Sequence, residues 1–111
     1  MQHARVALYE ITSGSFDDLA QRAERDLLAL FRAQPGFRAY GLVRVEHTRL
    51  MSISLWATEA QAHAAAEISG GWVADHVADD VKLLATYIGE LPFWSSVAPS
   101  EFSGMQTPIP T

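Results

Sequence analysis

The stretch that most constrains the fold is RLMSISLW followed at once by ATEAQ, residues 49–61. Its first half alternates: Met51, Ile53 and Leu55 fall on one face of a strand, and Ser52, Ser54 and Trp56 on the other. Its second half carries Thr58-x-x-Gln61, a capping box whose two side chains satisfy free backbone N–H groups at a helix start. A strand and a helix joined this closely must pack on each other. Both strand faces carry groups that need cover, so neither reads as a plain solvent face. The helix behind Thr58 is alanine-rich and is expected to stop at Gly70-Gly71. A second short helix is expected over Trp72 to Val81, where Val73, Val77 and Val81 recur at four-residue steps.

The rest of the chain fits around this stretch. Arg5 to Thr12 is rich in β-formers and alternates imperfectly, as a strand covered on both faces would. After Gly14-Ser15, the residues Phe16, Leu19, Ala20, Ala23, Leu27, Leu30 and Phe31 make one apolar helical stripe, and Pro35-Gly36 ends it. Phe37 to His47 and Arg49 to Trp56 are strand-like runs with little between them, which predicts an antiparallel hairpin. Lys82 to Leu91 returns to a strand pattern.

The expected fold is α+β: a ferredoxin-like βαββαβ unit with a four-stranded antiparallel sheet and its helices on one face. The other face then lacks helices, and a second copy of the sheet is the simplest cover. A homodimer joined through the sheet face, a dimeric α/β barrel, is therefore expected. Residues 1–91 form the domain; residues 92–111 are an irregular tail with four of the five prolines, expected to pack on the domain or on the partner subunit.

Bulk properties exclude several function classes. A chain of 111 residues fits one domain. Its formal net charge of −5, with no basic cluster, argues against nucleic-acid and anionic membrane surfaces. The absence of cysteine removes disulfides, thiolate metal sites and thiol nucleophiles. No apolar run approaches the ~20 residues that span a bilayer. MQHARVALYEI enters a strand pattern directly, without a signal peptide's layout, so a cytoplasmic protein is expected. No phosphate loop, nucleophile elbow or zincin motif is present.

Candidate site residues cluster near the opening stretch. Trp56, Ser52 and Ser54 should point toward the helices, where two hydroxyls need partners. Trp72 and His76 are four apart and share a helical face. Asp79 and Asp80 follow His76 closely, and the imidazole suits abstraction of a phenolic or enolic proton near neutral pH. Glu59, His63 and Glu67 form a ladder too long for one ion to touch all three, so no metal site is expected. His63 has small neighbours and is a candidate for turning toward a pocket. Tyr40 and Tyr87 are candidate sources of phenolic hydroxyls.

Pro35-Gly36-Phe37 with Tyr40 beyond it, SLW-x-TEAQA, the tryptophan in the following helix and YIGEL in the last strand resemble the antibiotic-biosynthesis-monooxygenase superfamily of dimeric α/β barrels, over residues 5–91. The resemblance implies a homodimer. It also implies a cofactor-independent monooxygenase, in which an ionisable, apolar aromatic or polyketide-like molecule loses a proton and passes an electron directly to dioxygen. In that comparison Trp56 matches the family's tryptophan, whereas Ser52 stands where characterised polyketide members have asparagine, Ala62 where they have tyrosine and His76 where they have arginine. The implied roles are Trp56 and His76 as catalytic residues, and Ser52, Ser54, His63, Trp72 and Tyr87 as substrate-binding residues, with no cofactor. The departures keep a second reading open, a non-catalytic small-molecule-binding or structural dimer. The haem-degrading branch is a third comparison, because His76 follows Trp56 by the spacing of its haem-binding histidine. That branch's helix tryptophan is Ala66 here, and its first-strand asparagine is missing from residues 5–12.

Overall fold

A computed structural model describes residues 1–96. The strands are β1 (His3–Ile11), β2 (Phe37–Val45), β3 (Arg49–Trp56) and β4 (Val81–Glu90), in the antiparallel order β2-β3-β1-β4. Between β1 and β2, α1 (Phe16–Arg22) runs through a π-helical turn (Ala23–Leu27) into α2 (Leu28–Arg32). Between β3 and β4 lies α3 (Glu59–His76). This is the expected ferredoxin-like βαββαβ arrangement, with both helical segments on one face of the sheet. Among the described residues no helix is long and apolar enough to cross a membrane.

Local chemistry sets the boundaries. Ser15 Oγ accepts from the Asp18 N–H at the start of α1, and Asp17 and Asp18 sit where the helix dipole favours negative charge. The Thr58–Gln61 capping box is complete: Thr58 Oγ1 accepts from the Gln61 N–H and Gln61 Oε1 accepts from the Thr58 N–H. Gly36 makes that cap sterically feasible. It takes φ +79°, and a Cβ there would collide with the Gln61 side chain. Its carbonyl accepts from the Ala57 N–H at 2.9 Å, tying the Pro35-Gly36-Phe37 turn to the start of α3.

The expected break at Gly70-Gly71 does not occur. Helix α3 runs unbroken for 18 residues, and Trp72 and His76 belong to its last turns. The second short helix over Trp72 to Val81 is absent; Val77 caps α3 and Val81 opens β4. Two glycines cost about 1 kcal/mol each in a helix interior, which an intact N-terminal cap and burial of the Ala62, Ala65, Ser69 and Trp72 face outweigh.

The ladders fix which side chains meet the helices. Pairing of Tyr9 with Leu50, Ala7 with Ser52, Arg5 with Ser54 and His3 with Trp56 places these residues in rows on the helix-covered face. All eight are buried. Val6, Leu8, Met51, Ile53 and Leu55 occupy the opposite face, with Tyr87 paired to Val6 and Val43 to Met51. On that face Tyr87 and Val43 are exposed, and Trp94 from the start of the tail lines a shallow pocket with Ala39, Val43, Ile53 and Leu55. The remainder of the tail lies outside the described residues.

Gly36→Ala is expected to lower stability by about 1–3 kcal/mol, because it strains the positive φ and displaces the capping glutamine. Gly70→Ala, at an exposed helical site with open space around its Cβ, is expected to raise stability instead. Chemical denaturation of the two variants checks the contrast.

Candidate active site

One end of the sheet–helix layer is filled by aromatics. Phe31 of α2 meets Trp56 edge-on at 5.3 Å between ring centroids and Tyr40 at 5.0 Å, and Phe37 lies 5.5 Å from Trp56. The Trp56 indole N–H donates to Ser54 Oγ at 2.9 Å, and both residues are 1 % exposed. These two candidates therefore satisfy each other inside the core. Neither lines a cavity.

Toward the other end the layer is not filled. A cavity of about 40 Å³ opens between Tyr9, Tyr40, Leu42, Leu50 and Ser52 of the sheet and the helices above. Leu19, Ala23 and Leu27 line it from the first helical segment, Ser69, Trp72, Val73 and Val77 from α3 and its end. Ala23 and Leu27 bound the π-helical turn, a distortion that recurs beside functional sites because it re-aims a helix face. Outside the cavity, across Tyr40 and Leu42, a groove of about 330 Å³ runs between α1 and β2, lined also by Phe16, Ala20, Glu24 and Leu28. Arg44 caps its end, with its guanidinium 4.8 Å above the Phe16 ring and paired to Asp17. Cavity and groove share the Tyr40–Leu42 wall, and the groove's size is that of pockets that hold small organic ligands.

The polar groups inside are sparse and specific. Ser52 and Trp72 line the cavity, and Ser52 faces the helix layer as the alternation in its strand predicts. Tyr9 and Ser69 add hydroxyls that the sequence reading did not single out. Burial pushes the Tyr40 phenol up to about 12; a hydrogen bond with Ser52 and the nearby Arg5 charge act in the opposite direction, and Tyr9 adds to the rise. Tyr40 is thus a neutral hydrogen-bond donor at physiological pH.

The other candidates lie elsewhere. His76 is exposed at the end of α3 and is not among the residues that line the cavity; its ring sits 5.4 Å from that of Trp72, and its carbonyl accepts from Arg22 at 2.8 Å. His63 is exposed, 3.7 Å from Glu59 on the solvent side of α3. Tyr87 is 67 % exposed on the opposite face of the sheet. Among the described residues no group of three or more His, Asp or Glu is placed to hold a metal ion.

Residues 3–74 match the model of the antibiotic biosynthesis monooxygenase family, which covers more than half of the chain. The chain belongs to that family. Its fold is similar to that of SnoaB, a cofactor-independent oxygenase from Streptomyces nogalater, with a TM-score of 0.64, 16% identity, and coverage of 88% of this chain and 97% of that one. It is also similar to MupZ from Pseudomonas fluorescens (TM-score 0.64, 8% identity, 78% of this chain and 66% of that one). A third similar structure is an ethyl tert-butyl ether d (EthD) family protein from Bacillus halodurans (TM-score 0.56, 18% identity, 82% of this chain and 99% of that one). No curated protein matches the chain. Identities this low establish the fold and leave the chemistry to the site.

Because the folded Tyr40 ionises near 12 and a free tyrosine near 10.0, the unfolded chain loses this proton first as pH rises. The contribution of Tyr40 to stability is present below pH 10.0 and is lost as pH climbs toward 12. Ultraviolet titration should show one tyrosine ionising late, and Tyr40→Phe should remove that step and flatten the alkaline loss of stability.

Proposed function

We propose that the protein is a cofactor-independent monooxygenase acting on an apolar aromatic or polyketide-like molecule that binds across the Tyr40–Leu42 wall. The observation that carries this reading is the cavity itself. In a chain of this family, hydroxyls of Tyr9, Tyr40, Ser52 and Ser69 face an otherwise apolar space between sheet and helices. The ring system occupies the groove beside Phe16 and Leu28, while its acidic head reaches past Tyr40 toward Ser52.

The chemistry asked of such a site is modest. An anthrone-type substrate loses a proton to give a carbanion–phenolate, which transfers one electron to dioxygen. Recombination forms the C–O bond of a hydroperoxide anion, and protonation and loss of water leave the ketone. In sum, one CH2 and one O2 become one C=O and one H2O. The neutral Tyr40 and Ser52 hydroxyls hold the phenolate oxygen, and the apolar walls keep bulk water from the carbanion. Among the described lining residues of the cavity none is His, Asp or Glu, so its proton leaves by the groove, where Glu24 stands. His76 and Trp56 act at most through Trp72 and the packed core.

The missing internal base also favours a second reading, a binding protein of the same fold without turnover. Haem fits the site poorly: a cavity of about 40 Å³ does not admit a porphyrin, and His76 is not among the residues that line it.

Oxygen-electrode assays with anthrone separate the first two readings. The monooxygenase reading expects protein-dependent oxygen uptake with anthraquinone as product, reduced about 10-fold or more by Tyr40→Phe or Ser52→Ala. Saturable binding without uptake across a panel of anthrones and naphthols supports the binding protein and contradicts the enzyme.

We further propose that the exposed sheet face pairs with that of a second copy, because Val43 and Tyr87 are exposed there beside Met51, Ile53 and Leu55. Light scattering is expected to give a dimer that Ile53→Arg converts to monomer. A monomeric wild-type chain at micromolar concentration would refute this.

A further inference from the structure

One end of the cavity is assembled from three elements: Leu19 of α1 with Ala23 just beyond it, Val77 at the end of α3, and Val81 at the start of β4. Val77 and Val81 are held as one unit, because the Val77 carbonyl accepts from the Asp80 N–H at 2.9 Å and from the Val81 N–H at 3.2 Å. Asp80 ties that unit to the end of β1. Its carbonyl accepts from the Thr12 N–H at 2.8 Å, and its carboxylate from the Ser13 hydroxyl. Among the described residues no backbone hydrogen bond joins the unit to α1.

A side chain makes that connection. Arg22 is the last residue of α1, at the entry to the π-helical turn. Its Nη2 donates to the His76 carbonyl at 2.8 Å, and its Nη1 lies 3.6 Å from the Asp80 carboxylate and 4.0 Å from that of Asp18. Each of these partners immediately precedes a lining residue: Asp18 before Leu19, His76 before Val77, and Asp80 before Val81. Arg22 itself precedes Ala23. The His76 carbonyl belongs to the C-terminal end of α3, where the helix dipole and a charge-assisted hydrogen bond both favour a fixed cation. The Arg22 and Asp80 side chains are 29 % and 30 % exposed, so water screens this pair less than it screens the contact with the 63 % exposed Asp18.

We infer that Arg22 is a positioning residue for the proposed ligand: it braces the cavity from outside and sets the spacing between α1 and the Val77–Val81 unit. This deepens the proposed function and rests on its reading of the cavity as the ligand site. The guanidinium touches no ligand; it acts through Leu19, Ala23, Val77 and Val81. Phe16 and Leu28 hold the ring in the groove, whereas the braced wall sets how closely the head is kept against Tyr40 and Ser52. Loosening that wall therefore costs orientation more than affinity. A lysine at this position keeps the charge and loses the planar fork that serves a carbonyl and a carboxylate together.

The two buried indoles report on the brace. The Trp72 N–H, on a residue that lines the cavity, is buried without a hydrogen-bond partner, so packing alone shields it from solvent. The Trp56 N–H is bonded to Ser54 in the aromatic cluster at the other end of the layer. Hydrogen exchange of both indole protons is followed by NMR in the unliganded wild type, Arg22→Met and Arg22→Lys. The Trp72 proton is expected to exchange about 10-fold faster in Arg22→Met and by an intermediate factor in Arg22→Lys, with the Trp56 proton changed less than about 2-fold. An ion pair that served stability alone would speed both protons alike. Oxygen uptake with anthrone gives the second readout: Arg22→Met should lower kcat about 5-fold and leave KM within about 2-fold. Equal acceleration of both indoles, or no change at Trp72, would overturn the inference, as would anthrone turnover with an unchanged kcat in Arg22→Met. The two proposals fail separately. Selective opening at Trp72 in a protein that takes up no oxygen keeps the brace and sinks the monooxygenase, while anthrone turnover with equal indole exchange in wild type and Arg22→Met does the reverse.

Discussion

The indole of Trp56 is the contact on which the layer is built. Its N–H is spent on Ser54, and its rings are clamped by Phe31 and Phe37, so α2 cannot separate from the β2–β3 edge without exposing a buried aromatic cluster. An aromatic of this size buries on the order of 150–250 Å². Beyond that end the layer carries smaller residues. Ala7, Ala23 and Ser52 leave the space that Tyr40, Trp72 and Leu27 then line. The tryptophan that looks most like a catalytic residue in the sequence is thus the post against which the site is set out.

That division of labour accounts for what was legible in the chain. Alternation in RLMSISLW places Ser52, Ser54 and Trp56 on the helix face correctly, because β3 is central and its parity is set by Trp56. The capping box and the Pro35-Gly36-Phe37 turn are equally readable, since each is a local device with few alternative uses. Gly70-Gly71 misleads for a plain reason: a helix end needs a glycine in a special conformation, and these two sit in ordinary helical turns on the exposed side.

The residues of the candidate site were harder to read. In β1 the branched aliphatics Val6 and Leu8 face away from the helices, and Arg5 faces toward them beside Ala7 and Tyr9. With apolar residues on both faces of β1, alternation alone does not say which face Arg5 takes, so it looks like a surface residue until the register is known. The π-helical turn that swings Ala23 and Leu27 over the cavity leaves no clear trace in the heptad-like stripe of its helix. Ser69 reads as part of a helix end and Tyr9 as one more β-former. His76 attracts notice because imidazole is versatile, yet spacing along a helix fixes only its neighbour Trp72, not the side of Trp72 on which the ring falls.

Taken together, an apolar groove and a small cavity share the Tyr40–Leu42 wall, and the proposed ligand spans both. The most direct measurement is a crystal structure of the protein with 4-nitrophenolate. The account predicts the ring beside Phe16 and Leu28, with the phenolate oxygen reaching past Tyr40 toward Ser52. A phenolate bound only on the exposed sheet face would contradict it.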